Sequence, residues 1–219
     1  MNYVVIVGLA LSSYLLGAVP FGFLIARARG VDIRRVGSGN IGATNVFRSV
    51  GKTWGILAFV CDALKGFVPA FWFASLGELP QSAVLQLLFG CAAIAGHNWP
   101  VYLGFRGGKG VATSAGALVG IAPLSMGIGL AAWLISFLVT RYVSFASIAA
   151  ALVVGGSAWL PSMPYGLPVR SALSGLALLT IWRHKSNIRR LLDGTEHRFG
   201  SGKKRTGSSQ TGTSTPGGA

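Results

Sequence analysis

The chain has 219 residues, of which 52% are hydrophobic and only 11% charged, and its mean hydropathy is +0.59. Soluble domains carry about 25% charged residues, so a surface facing only water is excluded and a surface facing lipid is expected. The net charge of +14, from 19 Lys and Arg against 5 Asp and Glu, leaves most basic side chains without an acidic partner. Anionic lipids or anionic substrates suit them, whereas a nucleic-acid binder of this charge would not carry such long apolar runs.

The first apolar run, Tyr3–Ala26, has no basic residue before it and no small-residue cleavage site, and is expected to be a membrane anchor. Pro20 predicts a kink within it. The polar segment that follows reads Arg34-Arg-Val-Gly-Ser-Gly-Asn-Ile-Gly-Ala-Thr-Asn45, with Arg48 shortly after. Gly37, Gly39 and Gly42 permit a tight backbone path that brings amide N–H groups close to an anion. Ser38, Asn40, Thr44 and Asn45 add hydroxyl and amide groups, and Arg48 adds a bidentate fork. A polar turn between helices has a similar composition, but the coincidence of so many matched donors favours an anion site. Gly37–Gly42 also satisfies G-x-G-x-x-G, with Asp62 further on. A dinucleotide fingerprint needs a preceding strand in a βαβ unit, and here the segment lies between membrane runs.

The next run, Thr53–Phe73, carries Asp62 and Lys65 at i, i+3, where they share a helix face. Charges within a span face the bundle interior, and these two are expected to pair with each other. Cys61 here and Cys91 in the run Ala83–Gly96 have no metal-type spacing and read as small hydrophobes. The second polar segment reads Gly96-His-Asn-Trp-Pro-Val-Tyr-Leu-Gly-Phe-Arg-Gly-Gly-Lys-Gly110 and leads straight into Val111. Gly107, Gly108 and Gly110 flank Lys109 at an expected helix start. Free amides, the positive end of the helix dipole and an ammonium would converge there on a phosphate. This is not a Walker A loop, because Leu103 stands where Gly is required and Gly110 replaces the magnesium-binding Ser or Thr.

The long run Val111–Thr140 holds Pro123 near its middle, between Gly120 and Gly127, and is expected to split there into two short helices. Arg141 and Ser144 follow on a short turn suited to closing the same site. Phe145–Leu160 and Ser171–Trp182 complete the apolar runs. Each run is read as helix, because lipid forces backbone hydrogen bonds to close within the segment. The third polar patch is Arg183-His-Lys-Ser-Asn187, then Arg189, Arg190, Asp193, Gly194 and Glu196. His184 suits proton transfer or substrate contact and equally suits an interfacial structural place, and the residues alone leave both open. His97 is a similar case, and His197 is assigned to the solvated end. From about Gly200 the chain is rich in Gly, Ser, Thr and Lys, so a membrane unit over 1–199 and a disordered tail over 200–219 are expected.

Charge chooses the topology. Seven spans with the N-terminus outside put every basic residue except Lys65 and Arg170 on the inner side. Six spans would place the basic C-terminus outside. The expected fold is therefore an all-α membrane protein with seven transmembrane helices, N-terminus outside and C-terminus cytoplasmic.

Taken in order, these segments resemble the bacterial membrane glycerol-3-phosphate acyltransferases that use acyl phosphate as donor, the PlsY family. The resemblance rests on Gly17-Ala-Val-Pro-Phe-Gly22, on Gly37–Asn45 with Arg48, and on Asp62-Ala-Leu-Lys-Gly66. It continues through Gly96-His-Asn-Trp-Pro100, Gly107-Gly-Lys-Gly-Val-Ala-Thr113, Arg141-Tyr-Val-Ser144, and His184 with Asn187 and Glu196. It runs from Met1 to about Phe199, with Ile41 standing where many relatives carry Pro.

The resemblance implies transfer of a fatty acyl group to the sn-1 hydroxyl of glycerol 3-phosphate in the bacterial inner membrane, giving lysophosphatidic acid and phosphate. It implies Ser38, Arg48, Lys109 and His184 as catalytic residues. Gly37, Gly39, Asn40, Thr44, Asn45, His97, Gly107, Gly108, Gly110, Ser144 and Asn187 are expected to bind substrate, with Asp62, Lys65 and Glu196 structural. No cofactor or metal is expected. The expected partners are acyl phosphate, glycerol 3-phosphate, the lipid bilayer and the soluble enzyme that forms acyl phosphate.

Acyl phosphate is already activated, so alignment and stabilisation of the departing phosphate would suffice. No serine has an evident His–Asp partner, so no acyl-enzyme is expected. The soluble acyltransferase signature, His followed five positions later by Asp, is absent, since those positions hold Tyr102, Arg189 and Gly202. A transporter for an organophosphate is the competing reading. Midplane charges and glycine-broken helices favour it, while polar groups crowded on one face and the lack of an inverted repeat count against it.

Overall fold

The computed structural model describes residues 3–76 and 82–200. The expected tail lies outside the described residues apart from Gly200. The described chain is helical, with α1 (Tyr3–Ala18), α2 (Phe21–Ala28), α3 (Ala43–Ser49), α4 (Lys52–Phe71) and α5 (Ala83–Asn98) in its first half. Then follow α6 (Val111–Ile121), α7 (Pro123–Thr140), α8 (Val143–Ser157), α9 (Leu167–Arg183) and α10 (Lys185–Leu192). No strand occurs among the described residues.

Helices α1 and α2 follow one another across a break at Val19-Pro20, where the ring of proline cannot continue the ladder. At this break the Val19 carbonyl accepts the Lys65 ammonium at 2.7 Å, although Lys65 sits far away in sequence on α4. Lys65 also pairs with Asp62 at 2.8 Å, and both side chains are buried. The i, i+3 spacing thus gives the expected pair, and the pair in turn seals the proline break.

Helix α4 packs on α6 through reciprocal glycines. A Cβ on Gly66 would run into the Thr113 carbonyl, and one on Gly116 into the Ala63 carbonyl, so the backbones touch. The expected split falls where α6 ends at Ile121 and α7 begins on Pro123, a first-turn position at which the missing N–H costs nothing.

Three helical stretches are long and apolar enough to cross a membrane: Tyr3–Ala28 with 26 residues, Lys52–Ser75 with 24 and α7 with 18. Only 11% of the α7 span is buried despite a mean hydropathy of 1.7, and Leu138 and Val139 stand more than seven-tenths exposed. An apolar face of that kind fits contact with lipid tails. Helices α6 and α8 are shorter and also apolar.

A core of Leu87, Ile94, Leu118, Ile121, Val154 and Leu173 ties α5, α6, α8 and α9 together. A second cluster, Ala26, Ile33, Ile41, Val46 and Ala58, folds the first polar segment onto α2, α3 and α4. That segment is not all loop, since Thr44, Asn45 and Arg48 ride on α3. Asn187 and Arg190 likewise ride on α10.

Candidate active site

The first half of α4 and parts of α5–α8 and α10, with His184 at the cap of α9, converge with α3 on a cavity of about 880 Å³. Its polar part is lined by Ser38, Arg48, Lys109, His184, Asn187 and Glu196, and its apolar wall by Ile56, Phe59, Trp133, Phe137 and Val143. Residues drawn from all three polar stretches of the sequence therefore meet in one chamber.

Asn45 builds the first wall. Its buried side-chain amide donates to the carbonyls of Ile33, Val36 and Asn40 at 2.9–3.1 Å. Its Oδ1 accepts from the Ser38 N–H at 3.1 Å and from the Ser49 hydroxyl at 3.4 Å. Gly37 has φ +59°, and a Cβ there would strike Asn45 Oδ1, so glycine is required for the turn. Asn45 lines the cavity with its polar atoms committed to this loop. Ser38 remains at the mouth, its Oγ accepting from the Asn40 N–H at 3.4 Å, while Asn40 Oδ1 accepts from the Gly42 N–H at 2.8 Å. Gly42 and Thr44 also line the chamber, whereas Gly39 does not.

The glycine loop before α6 is arranged differently from expectation. Gly107 and Gly108 do not line the cavity. The Gly108 N–H donates to the His97 carbonyl at 3.1 Å, and a Cβ on Gly108 would collide with His97 Nε2. Arg183 clamps the far side, donating to the Gly107 carbonyl at 3.1 Å and, through Nε, to the Gly108 carbonyl at 3.1 Å. The two glycines thus build a platform, and Lys109, Gly110, Val111 and Ala112 present the start of α6 to the cavity. The opening amides of a helix have no intrahelical acceptor and favour an anion. His97 lines the chamber above Asp62, its Nδ1 lying 3.7 Å from Asp62 Oδ1.

The third wall is a connected polar network. The Lys109 ammonium donates to Asn187 Oδ1. Asn187 Nδ2 donates to Glu196 Oε1 at 2.8 Å, the Ser144 hydroxyl donates to the same oxygen at 2.8 Å, and Arg190 Nε donates to Oε2 at 2.7 Å. Burial pushes the Glu196 carboxyl up, but the hydrogen bonds from Asn187, Arg190 and Ser144 together hold it below its ordinary value. Burial, joined by the charges of Arg190, Arg48 and Arg183 and opposed by Glu196, lowers Lys109 to about 8. The buried His184 ring sits 2.7 Å through Nδ1 from the Thr180 carbonyl. A carbonyl only accepts, so Nδ1 carries the proton and Nε2 is left as an acceptor. Burial first, then the Lys109 charge, lowers His184 to about 4, so the ring is neutral at pH 7. Arg48 is lowered by burial, with Glu196 opposing, and its Nε is buried without a hydrogen-bond partner.

Arg183 as clamp, Arg190 as partner of Glu196, and Phe199 were not singled out by sequence reasoning. Each acts across a sequence gap or beyond a motif, where spacing carries no signal. Arg141 does not line the cavity, and its carbonyl accepts from the Phe199 N–H at 2.9 Å. His197 is exposed beside Phe199, with ring centroids 6.1 Å apart. Among the described residues no cluster of His, Cys, Asp and Glu is placed to hold a metal.

The sequence model of the glycerol-3-phosphate acyltransferase family matches residues 7–194. A glycerol-3-phosphate acyltransferase of Aquifex aeolicus is 44% identical over 193 residues, covering 87% of this chain and 97% of the relative. One of Methylobacillus flagellatus is 45% identical over 193 residues, covering 87% and 95%. The crystal structure of PlsY (YgiH), an integral membrane glycerol 3-phosphate acyltransferase, in its glycerol 3-phosphate form superposes with a TM-score of 0.81. It is 43% identical, and the match covers 89% of this chain and 96% of that one. The lysophosphatidic acid form gives 0.79 at 42% identity, covering 89% and 95%. With only helices as regular structure among the described residues, an exposed apolar α7 and a cavity that joins cationic side chains to an apolar wall, the chain belongs to the glycerol-3-phosphate acyltransferase family of integral membrane enzymes.

Proposed function

We propose that this protein transfers a fatty acyl group from acyl phosphate to the sn-1 hydroxyl of glycerol 3-phosphate, releasing lysophosphatidic acid and inorganic phosphate. The observation that carries this reading is the mixed lining of the chamber. Arg48, Lys109 and the start of α6 line it with positive charge, while Phe59, Trp133 and Phe137 offer an apolar wall for an acyl chain. The solved relative PlsY is known in a glycerol 3-phosphate form and a lysophosphatidic acid form, a substrate and a product of this reaction.

The sn-1 oxygen attacks the acyl carbon, a new ester C–O bond forms, and the bond from that carbon to the phosphate oxygen breaks. The electron pair leaves with phosphate. Ser38, Arg48 and Lys109 hold that phosphate and stabilise its growing charge. Asn187 and His184 hold glycerol 3-phosphate, and the bare Nε2 of His184 accepts a hydrogen bond from the attacking hydroxyl. A ring lowered to about 4 orients that hydroxyl without storing its proton. The phosphate, with a second ionisation at about 6 in phosphoesters, is the stronger base and takes the proton. No covalent acyl-enzyme forms.

We further propose seven spans with the N-terminus outside and the C-terminus cytoplasmic, in a bacterial inner membrane. Residues 1–199 act as one catalytic unit and 200–219 as a tail. Acyl phosphate then arrives from a soluble enzyme on the same side as the basic loops. The decisive measurement uses purified protein in detergent. Phosphate release that requires both acyl phosphate and glycerol 3-phosphate, with lysophosphatidic acid detected by mass spectrometry, is the expected result. Glycerol 3-phosphate flux through proteoliposomes without acyl transfer would instead establish a transporter.

A further inference from the structure

Phe199 lies beyond the residues matched by the family model, which end at 194. Its ring is a meeting point for separate elements. The Phe47 ring on α3 lies 5.8 Å from it and the Phe137 ring on α7 lies 5.6 Å from it, centroid to centroid. The Arg48 guanidinium stands over the same ring, with Cζ 4.6 Å from the centroid. The segment bearing Phe199 is pinned at two points. Glu196 is held by Ser144, Asn187 and Arg190, and the Phe199 N–H is held by the Arg141 carbonyl.

Arg48 needs such a support. It lines the cavity, and its Nε is buried without a hydrogen-bond partner. A guanidinium left in that state has several side-chain torsions to lose before it can present two parallel N–H groups to an anion. An aromatic face fixes the plane of the cation without competing for its N–H donors, because the attraction runs through the ring quadrupole. A carboxylate partner would do the opposite, occupying the fork that the phosphate must use.

We propose that Phe199 is a positioning residue for acyl transfer, whose aromatic face holds the Arg48 guanidinium edge-on to the substrate phosphate. This rests on the reading of Arg48 as a phosphate-holding residue. The π face, and not simply the bulk of the side chain, is the operative feature. Phe199→Leu keeps an apolar group of moderate size and removes that face, while Phe199→Tyr and Phe199→Trp keep it.

The test is kcat/KM for acyl transfer from acyl phosphate to glycerol 3-phosphate, measured on full-length variants in detergent, with thermal unfolding recorded for each. Phe199→Leu is expected to lose about 3- to 30-fold, the range a cation–π contact of ordinary strength supplies. Phe199→Tyr and Phe199→Trp are expected to recover most of that loss. In an Arg48→Lys background, where the planar fork is gone, Phe199→Leu should cost nothing further. Should Phe199→Leu fail to fold, Phe199→Met takes its place in the same series. A Leu variant with full activity, aromatic variants no better than Leu, or full additivity with Arg48→Lys would each overturn the proposal. If Arg48→Lys itself keeps the parent rate, it is the phosphate-holding role of Arg48 that fails, and Phe199 loses its role with it.

Discussion

Lys109 fixes the orientation of Asn187. An ammonium is a donor only, so the side-chain carbonyl of Asn187 must face it. The amide nitrogen is thereby turned to Glu196, which it meets at 2.8 Å. Asn187 is the link through which a cation at the start of α6 is registered against a carboxylate pinned to α8 and α10.

Asn187→Ala should therefore lower kcat/KM by about 10- to 100-fold, the cost of losing hydrogen bonds to charged groups. Asn187→Asp should do no better. It strengthens the contact with Lys109 but faces Glu196 with a second carboxylate. Phosphate-release kinetics with unfolding curves check both, and parental activity in either would remove Asn187 from the site.

Lys109 supplies a pH limb. With its value lowered to about 8, the ammonium is lost as pH rises through that point. Because kcat/KM reports the free enzyme, it should fall tenfold per pH unit on the alkaline side. Lys109→Arg should have lower activity at neutral pH but no alkaline limb near 8. A wild-type profile that stays flat to pH 10 would contradict this.

His184 governs stability on the acid side. Its folded value of about 4 lies below the ordinary value of 6.5, so between these the unfolded chain binds the extra proton. The neutral ring's contribution is complete above pH 6.5 and is lost as pH falls through about 4. Thermal unfolding across that window should show a smaller acid-side drop in Tm for His184→Asn than for wild type.

Asp62→Asn should be severe, because it leaves Lys65 buried without its counter-ion, a change that costs about 3–5 kcal/mol in known buried pairs. Replacing both, Asp62→Leu with Lys65→Met, should recover much of the lost Tm. Equal damage from single and double variants would show that the pair does more than balance charge.

Gly108→Ala tests the platform. The added methyl meets the His97 ring, and overpacking of that kind costs about 1–3 kcal/mol, which here should appear as displaced Lys109 and reduced activity. Gly175→Ala, where nothing lies within 4 Å, is the matched control and should leave activity unchanged.

Much of the fold was legible because lipid makes hydropathy informative: the apolar runs coincide with helices, and Pro123 marks the break between α6 and α7. The Asp62–Lys65 pair was legible from i, i+3 spacing alone. Helices α3 and α10 were not, since seven or eight residues are too few to reveal a period among polar side chains. Nor could spacing show that Arg183 reaches back to Gly107, or that His97 occupies the space a Gly108 side chain would fill. Those contacts join distant stretches of chain. Glycine content placed these loops at the cavity, but it could not separate glycines that face it from glycines that support it.

Glu196 and Phe199 follow every described helix in the chain. Biosynthesis therefore delivers every described helix before it delivers the residues that contact Asn187 and Arg48 from the carboxyl-terminal side. A nascent chain halted at Asp193 would be inserted and folded in outline, yet its chamber would lack both its pinned carboxylate and its aromatic cover. On the roles proposed for Glu196 and Phe199, bulky fusions placed directly after Phe199 should harm turnover more than insertion.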